Sequence, residues 1–182
     1  MAFGSGVIPP VQFEKAMIFV DGTNLFYRLA SEKLRLERSI RAIFSEHISR
    51  RTLVRTYLYT VKENLEKAVL IHGEHIRRDV RVVLGDGIPT KDGNIKEKGV
   101  DALLVADMVY HAATRNYDFA LVVSSDTDFV QAIRRVEDFG CRTGVLCVCS
   151  DVPPRLKESS DLAFSLTGQM LVEGKHASRI QN

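Results

Sequence analysis

The chain has 182 residues, with 25 Lys+Arg against 23 Asp+Glu and 45% hydrophobic residues, which suits one soluble globular domain with a sizeable core. A net charge of +2 argues neither for nor against a nucleic-acid partner, so the question passes to where the charges sit. No stretch approaches the ~20 apolar residues of a membrane span, and residues 1–12 lack the basic and apolar regions of a secretory signal, so the expected location is cytoplasmic.

In chain order, residues 1–14 contain Gly4, Ser5, Gly6, Pro9 and Pro10 and are expected to form a flexible arm. Ala16-Met17-Ile18-Phe19-Val20-Asp21 follows, an apolar run ending in a carboxylate, then Gly22-Thr23-Asn24 and a helical pattern over 25–36. Continuous apolar runs mark strands buried on both faces of a parallel sheet. Further runs stand at 53–59, 80–84, 119–123 and 144–148, with helical patterns over 64–77, 100–114 and 129–139 between them. This alternation predicts an α/β fold, a doubly wound, mainly parallel sheet with helices on both faces.

Residues 85–99, rich in glycine and lysine, form a polar loop able to fold as a hairpin. Pro153-Pro154 is expected to open one short helix and Leu162-Ala163-Phe164 another. The domain is therefore placed at 15–170, with a polar C-terminal tail over 171–182. Cys141, Cys147 and Cys149 are odd in number and lack paired ligand spacing. They are expected as buried thiols rather than a disulfide framework or a zinc site.

In open α/β sheets, ligands bind beyond the carboxyl ends of the strands, where strand order reverses. Two predicted strands end in carboxylates, giving Asp21-Gly22 and Ser124-Ser125-Asp126-Thr127-Asp128. Lys96-Glu97-Lys98-Gly99-Val100-Asp101 opens the most apolar helix, placing Asp101 in its first turn. Aspartates gathered at one sheet edge repel one another and are tolerable when a cation neutralises them. An all-oxygen set favours magnesium or manganese. Asp107 lies six residues beyond Asp101, about 120° off the same helix face, which points to a supporting hydrogen-bond role. Each aspartate also has a bland explanation as a turn residue, a dipole partner or an N-cap.

Together, Phe19-Val20-Asp21-Gly22-Thr23-Asn24-Leu25, Lys98-Gly99-Val100-Asp101 with Asp107, and Ser124-Ser125-Asp126-Thr127-Asp128-Phe129 resemble the NYN domain in its LabA-like bacterial branch. That family is related to PIN-domain and flap-nuclease folds, and the likeness runs from about Lys15 to Leu166. The resemblance implies a ribonuclease, an endonuclease by expectation, cutting single-stranded or structured RNA at an acidic pocket that binds Mg²⁺ or Mn²⁺. Asp21, Asp101 and Asp126 match its acidic metal positions, with Asp128 as a fourth. Asn24, Ser124, Ser125 and Asp107 are expected around them as hydrogen-bonding support. Where the family usually shows Ser-Gly-Asp this chain has Ser124-Ser125-Asp126, and serine lacks glycine's freedom at positive φ.

Expected phosphate contacts are Lys91, Lys96 and Lys98 on the loop before Asp101 and Arg28 on the first helix. Phe26 and Tyr27 could stack on a base, although their spacing equally suits packing. No membrane association is expected, a homodimer is left open, and the sequence names no protein partner. A magnesium-dependent phosphatase of the haloacid-dehalogenase type needs a nucleophilic aspartate at position 19, which is Phe19. The remaining alternative is a non-catalytic RNA-binding or regulatory module. The carboxylates count against it, because a pure binder has no reason to gather negative charge where phosphate must sit.

Overall fold

The computed structural model describes residues 13–91 and 95–180. Its centre is β1 (Lys15–Asp21), buried from Ala16 onward, which pairs in parallel with β3 (Thr52–Val61) on one side and β6 (Phe119–Val123) on the other. The sheet grows outward from β3 to β4 (Arg81–Pro89) and from β6 to β7 (Arg142–Cys147) and β8 (Leu162–Ser165), all in parallel. Only β5 (Ile95–Lys98) runs against its neighbour, closing the expected hairpin on β4. The order of the seven strands is β5-β4-β3-β1-β6-β7-β8. Strand order thus reverses between β1 and β6, and the carboxyl ends of these two strands are where a ligand crevice opens.

Successive side chains of β1 alternate between two cores. Ala16, Ile18 and Val20 face α1 (Gly22–Ser31), α2 (Ile40–Phe44) and α3 (Lys62–His72). Met17 and Phe19 face α4 (Val100–Ala113), α5 (Val130–Asp138) and α6 (Pro154–Lys157). Phe19 lies flat against Tyr57, ring centroids 5.6 Å apart, with Tyr117 edge-on at 5.7 Å. Helices therefore cover both faces, as the alternation of patterns predicts.

Three segments differ from the sequence reading. The pattern over 25–36 does not stay helical, because Lys33 takes a left-handed φ of 51° and the chain leaves the helix for β2 (Leu34–Leu36). Leu162-Ala163-Phe164 is the edge strand β8 rather than a helix; its apolar residues pack at the sheet's end, where the parallel ladder with β7 supplies backbone partners. The polar stretch after 170 is not a loose tail. It completes α7 (Gly168–Glu173) and adds β9 (Ala177–Arg179), which pairs antiparallel with β2 and buries Leu171 and Ala177. The arm expected over 1–14 lies outside the described residues up to 12, and Glu14 is already tied to Arg51 by a 2.7 Å ion pair. Cys141 and Cys147 are buried and all three cysteines are free thiols. No helix among the described residues is long and apolar enough to cross a membrane.

Candidate active site

Asp21 ends β1 at the reversal point and is only 4% exposed. Its Oδ1 accepts the Asn24 backbone N–H at 3.0 Å, capping α1, and its Oδ2 accepts the Ser124 hydroxyl at 2.8 Å from the end of β6. That bond spans the crevice and fixes the carboxylate against rotation. The same Ser124 oxygen accepts the Asp126 N–H at 3.0 Å. Cys147, whose thiol is pushed up to about 12 by burial and stays protonated, donates to the Ser124 carbonyl at 3.2 Å.

Asp126 caps the following turn through the Asp128 N–H at 2.8 Å. Asp21 and Asp126 thus both serve as helix or turn caps, the bland role each could have had, and both also face the crevice's other charges. Burial lifts the Asp21 pKa from 3.8 to about 6 against the lowering effect of the Asn24 and Ser124 bonds, and the charges of Asp101 and Asp126 add to the rise. Asp101, in the first turn of α4, is exposed as a residue. Its carboxyl is nonetheless raised, first by partial withdrawal from water, then by repulsion from Asp126, Glu97 and Asp128. The four predicted aspartates therefore act on one another across the crevice.

Glu97 is the acidic residue that the sequence reading missed. Period-2 alternation along β5 turns Ile95 and Glu97 inward and leaves Lys96 and Lys98 exposed on the outer side. Glu97 accepts a short hydrogen bond from the Thr23 hydroxyl and one of 2.5 Å from the Asn64 amide, tying the hairpin to the heads of α1 and α3. The parity of Ile95 and Glu97 was the available signal. Lys91 is exposed at the hairpin tip.

Ser125 is not among the described residues with positive φ, so replacing glycine brings no backbone strain here. Its hydroxyl is used instead. It donates to Asn24 Oδ1 at 3.1 Å and accepts from Asn24 Nδ2 at 3.0 Å and from an Arg28 terminal nitrogen at 3.1 Å. The Ser125 backbone N–H also reaches Asn24 Oδ1, at 3.2 Å. Arg28 is thereby held at the crevice, with its Nε buried and lacking a hydrogen-bond partner.

Asp107 is not among the charges acting on Asp21 or Asp101. Its Oδ2 accepts the Tyr59 hydroxyl at 3.0 Å, and Tyr59 is fully buried. Asp107→Ala should therefore lower stability by about 1–3 kcal/mol, the cost of a buried hydroxyl left without its acceptor, which denaturant melts measure. An unchanged melting midpoint would show that the Tyr59 hydroxyl does not depend on Asp107.

Among the described residues, no three His, Cys, Asp or Glu side chains are gathered closely enough to form a complete metal cage. The donors present are carboxylate, hydroxyl and amide oxygens. They fit a hard cation that keeps several waters and takes only one or two carboxylates, the binding mode of Mg²⁺.

Comparison with known proteins speaks to the family and the fold. The NYN domain matches residues 15–167. No curated protein matches at a significant level. Among solved structures the chain is similar to a protein of unknown function from Vibrio parahaemolyticus, with a TM-score of 0.63 and 21% identity over 84% of this chain and 93% of that one. At that identity the likeness speaks for the fold alone. With the domain matched over most of its length and its acidic motifs meeting at the strand-order reversal, this chain belongs to the NYN domain family.

Proposed function

We propose that the protein is a divalent-metal-dependent endoribonuclease of the PIN-like kind, in the LabA-like branch, acting on RNA in the cytoplasm. The observation that carries this reading is the gathering of carboxylates at the β1/β6 crevice, where the charges of Asp101 and Asp126 act on Asp21 and those of Asp126 and Asp128 act on Asp101. Such an arrangement is unfavourable without a cation and favourable with one. One or two of these carboxylates, with water, would hold Mg²⁺ or Mn²⁺, and the others would add negative charge around the ion. Bound there, the ion would activate water and neutralise charge on the phosphodiester and the leaving oxygen.

The chain's own residues do the positioning. Ser124 holds Asp21 in one rotamer, and Asn24 and Ser125 hold Arg28, whose guanidinium is the cation suited to meet a phosphate oxygen. Lys91, Lys96 and Lys98 supply positive charge along the hairpin from which RNA approaches. A second reading, a non-catalytic RNA-binding module, is favoured by one observation, the lack of a complete three-ligand group among the described residues. Against it stands the concentration of carboxylates where a phosphate backbone would have to lie.

A circular single-stranded RNA separates these readings, because only an endonuclease can linearise it. Linear product is expected with Mg²⁺ or Mn²⁺ and none in excess EDTA. Undiminished cleavage in EDTA would sink the metal mechanism, and an intact circle under every condition would leave the binding module.

A further inference from the structure

Beside the crevice, α1 and α3 part to form a groove of about 530 Å³. Each helix contributes a matching stripe at i, i+3, i+4 and i+7: Thr23, Phe26, Tyr27 and Ala30 from α1, and Asn64, Lys67, Ala68 and Ile71 from α3. The core-facing stripe of α1 is a different one, carried by Leu25 and Leu29. Phe26 and Ala68 of the groove stripes also pack against the core, while Tyr27 and Ile71 are left exposed beside them. Tyr27 is 69% exposed and Ile71 47% exposed, an aromatic ring from α1 and an aliphatic side chain from α3 on the same lining. Below Tyr27, Phe26 is backed by the His72 ring at 6.0 Å.

Two further features define the occupant. Lys67 stands on the lining and offers a counter-charge to an occupant that carries negative charge as well as an apolar body. One end of the groove is formed by Thr23 and Asn64, the two residues that hold Glu97, and the charge of Glu97 acts directly on Asp101. That end of the groove therefore lies beside the acidic crevice. An apolar helix of another protein would leave Lys67 and this adjacency unused. A flat apolar ring joined to a phosphodiester uses all three.

We propose that the groove takes an unpaired nucleobase of the RNA next to the cleaved phosphodiester, stacked on Tyr27, so that the enzyme selects single strands over duplex. A base in a duplex is already stacked and paired and cannot enter the slot. The inference rests on the nuclease reading for its substrate, but base capture can be measured without cleavage.

The probe is a single-stranded RNA oligonucleotide carrying the fluorescent base 2-aminopurine at successive positions, bound in Mg²⁺ by the full chain bearing Asp21→Asn to prevent cleavage. Stacking on Tyr27 should quench the fluorescence at one position. Adding Tyr27→Ser should remove that quenching and weaken single-strand binding roughly tenfold, with duplex binding unchanged. Tyr27→Phe, which keeps the ring, should restore both. Since Tyr27 is exposed, a folding defect does not confound the comparison, and Ile71→Glu on the opposite wall gives an independent arm with the same expected loss.

Equal quenching and affinity in the Tyr27→Ser protein would overturn the proposal, as would an equal loss on single strand and duplex. So would a dimer that Tyr27→Ser converts to monomer without changing RNA affinity, since the groove would then belong to a second copy. Quenching at one position by a protein whose wild-type form cleaves no RNA would retire the nuclease reading and leave the groove standing. Cleavage by wild type with no quenching at any position would do the reverse.

Discussion

Asp21→Asn should abolish RNA cleavage and at the same time raise the melting temperature of the metal-free protein. On the proposed function, in which Asp21 is one of the carboxylates that hold the metal, its loss is expected to slow cleavage on the order of a hundred- to a thousandfold. The gain in stability has a separate origin. Burial raises the Asp21 pKa from 3.8 to about 6, so folding favours the neutral form of this group. Its contribution is most favourable below the unfolded value of 3.8 and is lost as pH rises through about 6. Above that range the folded protein carries an ionised, buried carboxylate at a cost of up to about 3 kcal/mol.

Asparagine keeps the shape and its Oδ1 still accepts from the Asn24 N–H, while its Nδ2 donates to the Ser124 oxygen where the carboxylate accepted, and it cannot ionise. The stability advantage of Asp21→Asn over wild type should therefore be largest at pH 7 to 8 and fade toward pH 4. Melting curves of both proteins across that range check it. An advantage independent of pH, or a variant that unfolds, would mean that Asp21 serves as a cap and nothing more.

Gly22→Ala should cost stability and activity together. A Cβ built on Gly22 would lie 2.7 Å from the Tyr59 carbonyl oxygen, 3.0 Å from Leu58 Cδ1 and 3.1 Å from Thr60 Cβ. The first of these is backbone of β3, held by its pairing with β1 at Asp21 and Tyr59, and cannot move aside cheaply. Overpacking of this kind costs about 1–3 kcal/mol. Because Gly22 follows Asp21 directly, relief of the clash displaces the carboxylate from Ser124. Denaturant melts and cleavage rates of the same preparation give both readouts. Wild-type values in both would show that the end of β1 has room for a side chain.

The central strands were legible in the sequence for a physical reason. A strand buried on both faces must be apolar at every position, and 16–20 and 119–123 are. The short elements β2, β8 and β9 span three or four residues, too few to show a period, and their pairing is set by tertiary contacts. Leu34 and Leu36 extended the helical pattern of α1 on paper, while the turn at Lys33 ended it in the molecule.

The site divides in the same way. Carboxylates placed at strand ends stand out because apolar runs lead into them, so Asp21 and Asp126 were readable, and Asp101 followed from the helix start. Glu97 lies in a polar, glycine-rich hairpin whose alternation was hidden by its composition. The joining of Arg28, Asn24 and Ser125 links residues about a hundred positions apart. No local pattern announces such a contact.

The most direct test is the cleavage rate of a labelled single-stranded RNA as Mn²⁺ is titrated back into EDTA-treated protein, with wild type and Asp21→Asn measured side by side. The account predicts no cleavage at zero metal, a rate that rises and saturates with Mn²⁺ for wild type, and a flat line for Asp21→Asn across the same range. A wild-type rate independent of Mn²⁺, or an Asp21→Asn curve that superimposes on wild type, would contradict it.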